Sequence, residues 1–348
     1  MKAFDLISRL SGAPTAIGSM PHTDPRKACA AVAKYLPEIP VWPQLPQRSF
    51  LENMYAQYSA GFPGVVIDGE RIYIDTSQGL DEPLEKFYAA YLEEDIEKFA
   101  IGAEYAAGLR EFLASKPGAP SAVKGQVTGP VTWGMCVTDE NRRPILYDET
   151  LSDAVAKHLN MKAQWQESKL QSVSANTIIF FDEPYMTSVG SAFVSLSREQ
   201  VVGLLKEAFT GIEGLKGVHC CGNTDWSILT DTSVNIINFD AYNYSHTLAL
   251  YPDAMAGFIE RGGVLAWGIV PHEENDLLRE SVPSLIDRLT ESMENLERKS
   301  IPHRQIVEQC LLTPACGLAS ASEEAAERAL ELLAELSKEF RTRYIREG

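Results

Sequence analysis

The chain has 348 residues, 45% of them hydrophobic, with 31 Lys and Arg against 48 Asp and Glu for a net charge of −17 and a pI near 4.8. That length can bury an ample core as one large α/β barrel or two smaller domains, and the acidity excludes nucleic acid and anionic membrane as partners because a polyphosphate is repelled at long range. No apolar run reaches a membrane span and the amino terminus lacks a basic-then-apolar leader, so a cytoplasmic chain is expected, its six cysteines reduced and available to metal rather than paired.

In chain order, Phe4 to Leu10 reads as a short helix closed by a Gly12/Pro14 turn. Thr15-Ala16-Ile17 is a small apolar strand that breaks at Gly18-Ser19, and Asp24-Pro25 then offers a cap and a first-turn proline for a helix. Ile39 to Gln44 is a second strand, kept to four or five residues by its prolines. Asp68-Gly69 lies between two apolar arms and predicts a hairpin excursion near residues 64–75. Helices are expected over Leu84–Tyr91 and Ile96–Ser115, and a third strand over Ala122–Val127 that runs into Thr128-Gly129-Pro130.

A long amphipathic helix covers Thr150 to Ser174, followed by Ile178-Ile179-Phe180-Phe181. Four apolar residues without alternation predict a strand covered on both faces, and its carboxyl end presents Asp182 and Glu183. Ser197 caps a helix to Phe209, and Gly217 to Cys221 is a short buried strand ending at Gly222. Side chains alternate along a strand, so His219 and Cys221 share one face while Cys220 points the other way. Strands follow at Asn235–Phe239, ending in Asp240, at Val264–Val270, with Pro271-His272 as its exit, and at Cys310–Thr313. Helices over Leu248–Glu260, Val282–Arg298 and Ser322–Arg343 separate or follow them.

The strands near Ile17, Val41, Val123, Ile179, Val218, Ile237, Leu265 and Leu312 number eight and alternate with helices. That count predicts a single (β/α)8 TIM-barrel domain over 1–348, because no Gly-x-Gly-x-x-Gly follows the first strand. Barrel chemistry gathers at the carboxyl ends of the strands, where Ser19, Thr128, Asp182, His219 with Cys221, Asp240 and Cys316 all fall. Zinc takes imidazole nitrogen and thiolate sulfur, and a catalytic zinc keeps three protein ligands and one open position. His219, Cys221 and Cys316 supply that set, with Asp240 as a fourth, oxygen ligand or as the acceptor for the His219 ring. Each residue also has a structural reading: free cysteines are commonly core packing, Asp182 ahead of Pro184 can cap a helix, and Ser19 can cap a loop.

Five ordered segments carry a resemblance: Ile17-Gly18-Ser19, Val127-Thr128-Gly129-Pro130-Val131-Thr132, Asp182-Glu183-Pro184, His219-x-Cys221 and Pro314-Ala315-Cys316-Gly317-Leu318. Over about residues 15 to 320 the chain resembles the catalytic carboxyl-terminal half of cobalamin-independent methionine synthase, a barrel of the uroporphyrinogen decarboxylase type. The resemblance implies a zinc-dependent homocysteine methyltransferase in methionine biosynthesis. Three of the family's His, Cys, Glu and Cys ligands match His219, Cys221 and Cys316, with Asp240 where the glutamate should fall. Ile17, Gly18 and Ser19 match the segment that holds the amino acid's carboxylate, and Asp182 and Glu52 match residues that take its ammonium. His272 lies about two positions from the family's catalytic histidine.

Full-length members carry a second, amino-terminal barrel that helps bind polyglutamylated folate, and 348 residues leave no room for one. Single-barrel versions exist in the family. The chain shows no Lys/Arg cluster for a glutamate tail, and its resemblance to the single-barrel members implies a methylated corrinoid as donor, either methylcobalamin or a corrinoid protein. Two other readings stand beside it: the same zinc site acting on another thiol such as coenzyme M, and a non-catalytic module that binds a corrinoid or thiol amino acid.

Overall fold

The computed structural model describes residues 2–115 and 118–345. Ten strands occur in the described residues: β1 (Ala13–Pro14), β2 (Val65–Asp68), β3 (Arg71–Ile74), β4 (Val123–Thr128), β5 (Thr138–Asp139), β6 (Thr177–Asp182), β7 (Leu215–Cys220), β8 (Ile236–Phe239), β9 (Val264–Val270) and β10 (Cys310–Pro314). Seven of them form one all-parallel sheet in the order β1-β10-β9-β8-β7-β6-β4.

Strand parity sorts the core into two layers. Ile179, Phe181, Val218, Ile237, Leu265 and Leu312 pack outward under the helices. Their neighbours Ile178, Phe180, Leu215, Ile236, Val264 and Leu311 form a second cluster on the opposite face, joined by Ile7 and Leu10 from the amino-terminal segment. Higher on that second face the residues turn polar and stay buried: Lys124, Gln126, Asp182, His219, Asn238 and Thr313. The sheet thus encloses an apolar floor beneath a polar upper layer.

The second of the eight expected strands does not form a regular ladder. Residues 38–44 lie between the segment that continues β1 and strand β4, and their strand pairing is limited to two isolated parallel bridges, Ser19↔Gln44 and Val41↔Lys124. The contacts include Gln44 N to Gly18 O at 2.9 Å and Lys124 N to Pro40 O at 2.9 Å. Pro40 and Pro43 carry no N–H, so a continuous ladder cannot propagate through this segment. The first strand likewise forms at Ala13–Pro14 rather than at Ile17.

Asp68 pairs with Arg71 across Gly69-Glu70, giving the antiparallel hairpin β2–β3, to which β5 adds in a small sheet of its own. The helix expected from Ile96 to Ser115 is split into a 3-10 turn, Ile96–Phe99, and a helix, Ala107–Ser115. The carbonyls of Phe99 and Ala100 are taken by the buried Lys162 Nζ, at 3.2 and 3.4 Å, instead of by amides one turn on. The covering helices begin where the sequence places caps: Asp24, Ser197 with its Gln200 capping box, and Ser322 each accept from their first-turn amides. Among the described residues no helix is long and apolar enough to cross a membrane.

Candidate metal centre

Parallel register sets four side chains level with one another: Thr128 faces Asp182, Asp182 faces His219, and His219 faces Asn238. Just above this row, Cys221 follows the end of β7 and Cys316 lies two residues beyond β10. Ligand atoms of His219, Cys221 and Cys316 all come within 4.8 Å of one another, with Cys316 Sγ 3.9 Å from His219 Nε2. Cys220, of opposite parity, is buried in the outer layer, and burial pushes its thiol up to about 12. Cys221 is pulled the other way: hydrogen bonds from Cys316 and then His219 hold its thiol well below the ordinary range, while Cys316, which donates, is raised. One imidazole and two thiols converging from two strands form a borderline-soft donor set that fits zinc and leaves its cavity side open.

These three residues close one end of a cavity of about 390 Å³ whose other walls include Ile17, Ser19, Gln44, Glu52, Met54 and Asp182. Asp182 is buried, and its Oδ1 has no hydrogen-bond partner within the chain. Burial raises its pKa, against the opposing influence of His219 and Lys124. The neighbouring carboxylate does the capping: Glu183 accepts from Val131 N at 2.9 Å and Thr132 N at 2.7 Å. Burial lifts Glu183 to about 7. Glu52 is fully buried, pairs with Arg48 through Oε1 and leaves Oε2 without a partner. Below, Lys124 donates to the Ile17 carbonyl at 2.7 Å and lies over the Phe180 ring at 4.2 Å.

Two glycines let the walls meet. Gly18 has φ +141, and a Cβ there would sit 2.5 Å from Gln126 Cδ. A Cβ on Gly317 would sit 2.0 Å from Ser19 Oγ, so the chain leaving Cys316 passes against that hydroxyl.

Two expected members stand apart. Asp240 caps the short helix after β8, accepting from Asn243 N at 2.8 Å and Asn243 Nδ2 at 2.7 Å, and the three-residue ligand group does not include it. The acceptor for His219 Nδ1 is Asn238, not Asp240. The ladder register explains this correction, because it sets Asn238 opposite His219 and Asp240 two residues further along. His272 does not line the cavity; its Nε2 lies 3.3 Å from Glu273. Sequence reasoning missed Asn238, Gln44 and Met54. The signal for Asn238 was its parity with Asp240, one strand pitch nearer the floor.

No family model and no curated protein matches the chain. Solved structures do. A B12-independent methionine synthase from Shewanella sp. W3-18-1, in complex with selenomethionine, aligns at 18% identity and TM-score 0.46 over 64% of this chain and 63% of its own. The chain therefore spans less than two thirds of that neighbour's length. A proposed vitamin-B12 independent methionine synthase from Listeria monocytogenes aligns at 14% identity and TM-score 0.54, covering 93% and 96% of the two chains. A methyltransferase from Methanosarcina mazei aligns at 12% identity and TM-score 0.56, covering 97% of each. At these identities the likeness to the last two establishes a shared fold.

Proposed function

We propose that the protein is a zinc-dependent methyltransferase that makes methionine from homocysteine, with a methylated corrinoid as methyl donor. The observation that carries this reading is the convergence of His219, Cys221 and Cys316 within 4.8 Å beside the unpartnered Asp182 carboxylate. His219 Nε2 and the two thiolates would hold the metal. Zinc bound there lowers the pKa of a thiol so that thiolate is available at neutral pH.

The chain's own residues serve the rest of the substrate. The unpartnered Asp182 Oδ1 and Glu52 Oε2 suit an ammonium group, and Ser19 with the Ile17–Gly18 backbone suits the carboxylate of the same amino acid. A buried carboxylate without a hydrogen-bond partner is costly, so an ammonium bound beside it would offset that cost. In the transfer the substrate sulfur bonds the methyl carbon, the donor's cobalt–carbon bond breaks with its electron pair left on cobalt, and the thiol proton goes to solvent. A corrinoid donor is favoured over polyglutamylated folate because no Lys or Arg is among the residues lining the cavity. The fold shared with a methyltransferase and with a proposed vitamin-B12 independent methionine synthase agrees with methyl transfer and does not bear on the choice of donor. Asp240 and His272 enter the proposal as groups beside the mouth whose substitution tests a role in the transfer.

The test is a matrix of thiols and donors. Zinc-loaded protein is incubated with homocysteine, cysteine or coenzyme M, each with methylcobalamin or methyltetrahydrofolate, and the methylated thiol is quantified. Methionine from methylcobalamin is expected. Methionine from folate alone would overturn the donor, and methylation of coenzyme M in preference to homocysteine would overturn the acceptor.

A further inference from the structure

Asn238 is buried at the centre of the polar layer, and each of its amide atoms is committed. Nδ2 lies 2.8 Å from the Ala266 carbonyl and 2.8 Å from Thr313 Oγ1. A backbone carbonyl only accepts, so the atom facing it must be the nitrogen, and the amide has a single orientation. Its oxygen therefore faces His219 Nδ1. An amide oxygen only accepts as well, so Nδ1 must carry a hydrogen, which leaves Nε2 as the nitrogen turned toward Cys221 and Cys316.

The same side chain ties two ligand-bearing strands that are not neighbours. β7 carries His219 and β10 leads into Cys316, with β8 and β9 between them. Asn238 bonds to a side chain on each, and Thr313 stands three residues before Cys316. The reach across β9 is open because that strand offers only Ala266 and Gly268 at this height on the same parity. The group is also neutral. A carboxylate here would join Asp182 and two thiolates in one buried layer, a grouping that desolvation disfavours.

We propose that Asn238 is the positioning residue of this centre: its amide holds His219 with Nδ1 protonated and Nε2 presented to the metal, and fastens that ring to the strand delivering Cys316. The inference rests on the zinc reading above, and it assigns the tautomer and the spacing that reading requires. Loss of such a partner lowers metal affinity by about 10- to 100-fold in comparable sites.

The experiment uses Zn(II) alone as probe. Affinity is measured by competition with a chromophoric chelator for wild type, Asn238→Leu and Thr313→Val. In parallel, the ring nitrogens of the Zn(II)-loaded wild type, labelled with ¹⁵N only in its six histidines, are read by NMR, and ¹¹³Cd substitution identifies the coordinating nitrogen. Expected are coordination through Nε2 of His219 with Nδ1 protonated, a loss of about 10- to 100-fold for Asn238→Leu, and a much smaller loss for Thr313→Val, where the bonds to His219 and Ala266 persist. A wild type that takes up no Zn(II) overturns the metal reading and this inference with it. A wild type that coordinates through Nδ1, or an Asn238→Leu variant that binds Zn(II) as tightly as wild type, overturns the role of Asn238 alone. The wild-type spectrum decides the tautomer even if a variant does not fold.

Discussion

Gly317→Ala probes how closely the metal centre is coupled to the amino-acid end of the cavity. The added Cβ would lie 2.0 Å from Ser19 Oγ but 3.4 Å from Ser19 Cβ, so the hydroxyl alone obstructs it. Relief requires either rotation of the Ser19 hydroxyl out of the cavity wall or a shift of the 316–317 backbone by more than about 1 Å. Overpacking of this kind costs about 1–3 kcal/mol, and a displacement near 1 Å at reacting groups costs about 10²-fold in rate. Ser19→Ala removes the obstructing atom, so the double variant Ser19→Ala/Gly317→Ala should be no worse than its more damaged single parent. The assay is a double-mutant cycle in kcat/KM for homocysteine and in unfolding free energy. A coupling of about 1–3 kcal/mol is expected. Strictly additive losses would refute the contact, and a fully active Gly317→Ala would refute the placement of Ser19 in the site.

Other outcomes follow from parity, burial and charge. Cys221→Ser should abolish stoichiometric zinc, whereas Cys220→Ala, on the opposite face, should retain it; metal analysis of the two proteins distinguishes them. Asp182→Asn should raise KM for homocysteine by about 10-fold or more, the scale of a lost charge-assisted bond, while a thiol lacking the amino group should be methylated equally by variant and wild type. Burial depresses Lys162 from 10.5 to about 7. Between those values the unfolded chain binds the extra proton, so this lysine makes stability rise with pH. Lys162→Met should therefore flatten the slope of unfolding free energy between pH 7 and 9 by up to about 1.4 kcal/mol per unit. A wild-type-minus-variant difference that does not change with pH would contradict it.

The legible parts of the fold were those decided within one segment. Ile178 to Phe181 announce a strand covered on both faces, Asp68-Gly69 announces the hairpin, and alternation alone separates Cys220 from His219 and Cys221. The meeting of Cys316 with His219 and Cys221 was legible from strand ends alone, but other features that depend on two segments were not. The prolines of residues 39–44 were visible, but their effect, bridges in place of a ladder, emerges only when β1 and β4 are set on either side. The choice of Asn238 over Asp240 as partner to His219 is a matter of register between β7 and β8, which no single strand encodes. Asp182 and Glu183 look interchangeable ahead of Pro184. Only the approach of the helix Pro130–Cys136, whose amides Glu183 takes, leaves Asp182 free for the cavity.

The most direct measurement of the central claim is zinc content followed through methyl transfer in a single preparation. The purified chain is assayed for metal, stripped with a chelator and reloaded with zinc, and methionine formed from homocysteine and methylcobalamin is measured at each stage. The account predicts one zinc per chain and methionine formation that disappears with the metal and returns with it. Methionine formed at an undiminished rate by the stripped protein, or a chain that takes up no zinc, would contradict it.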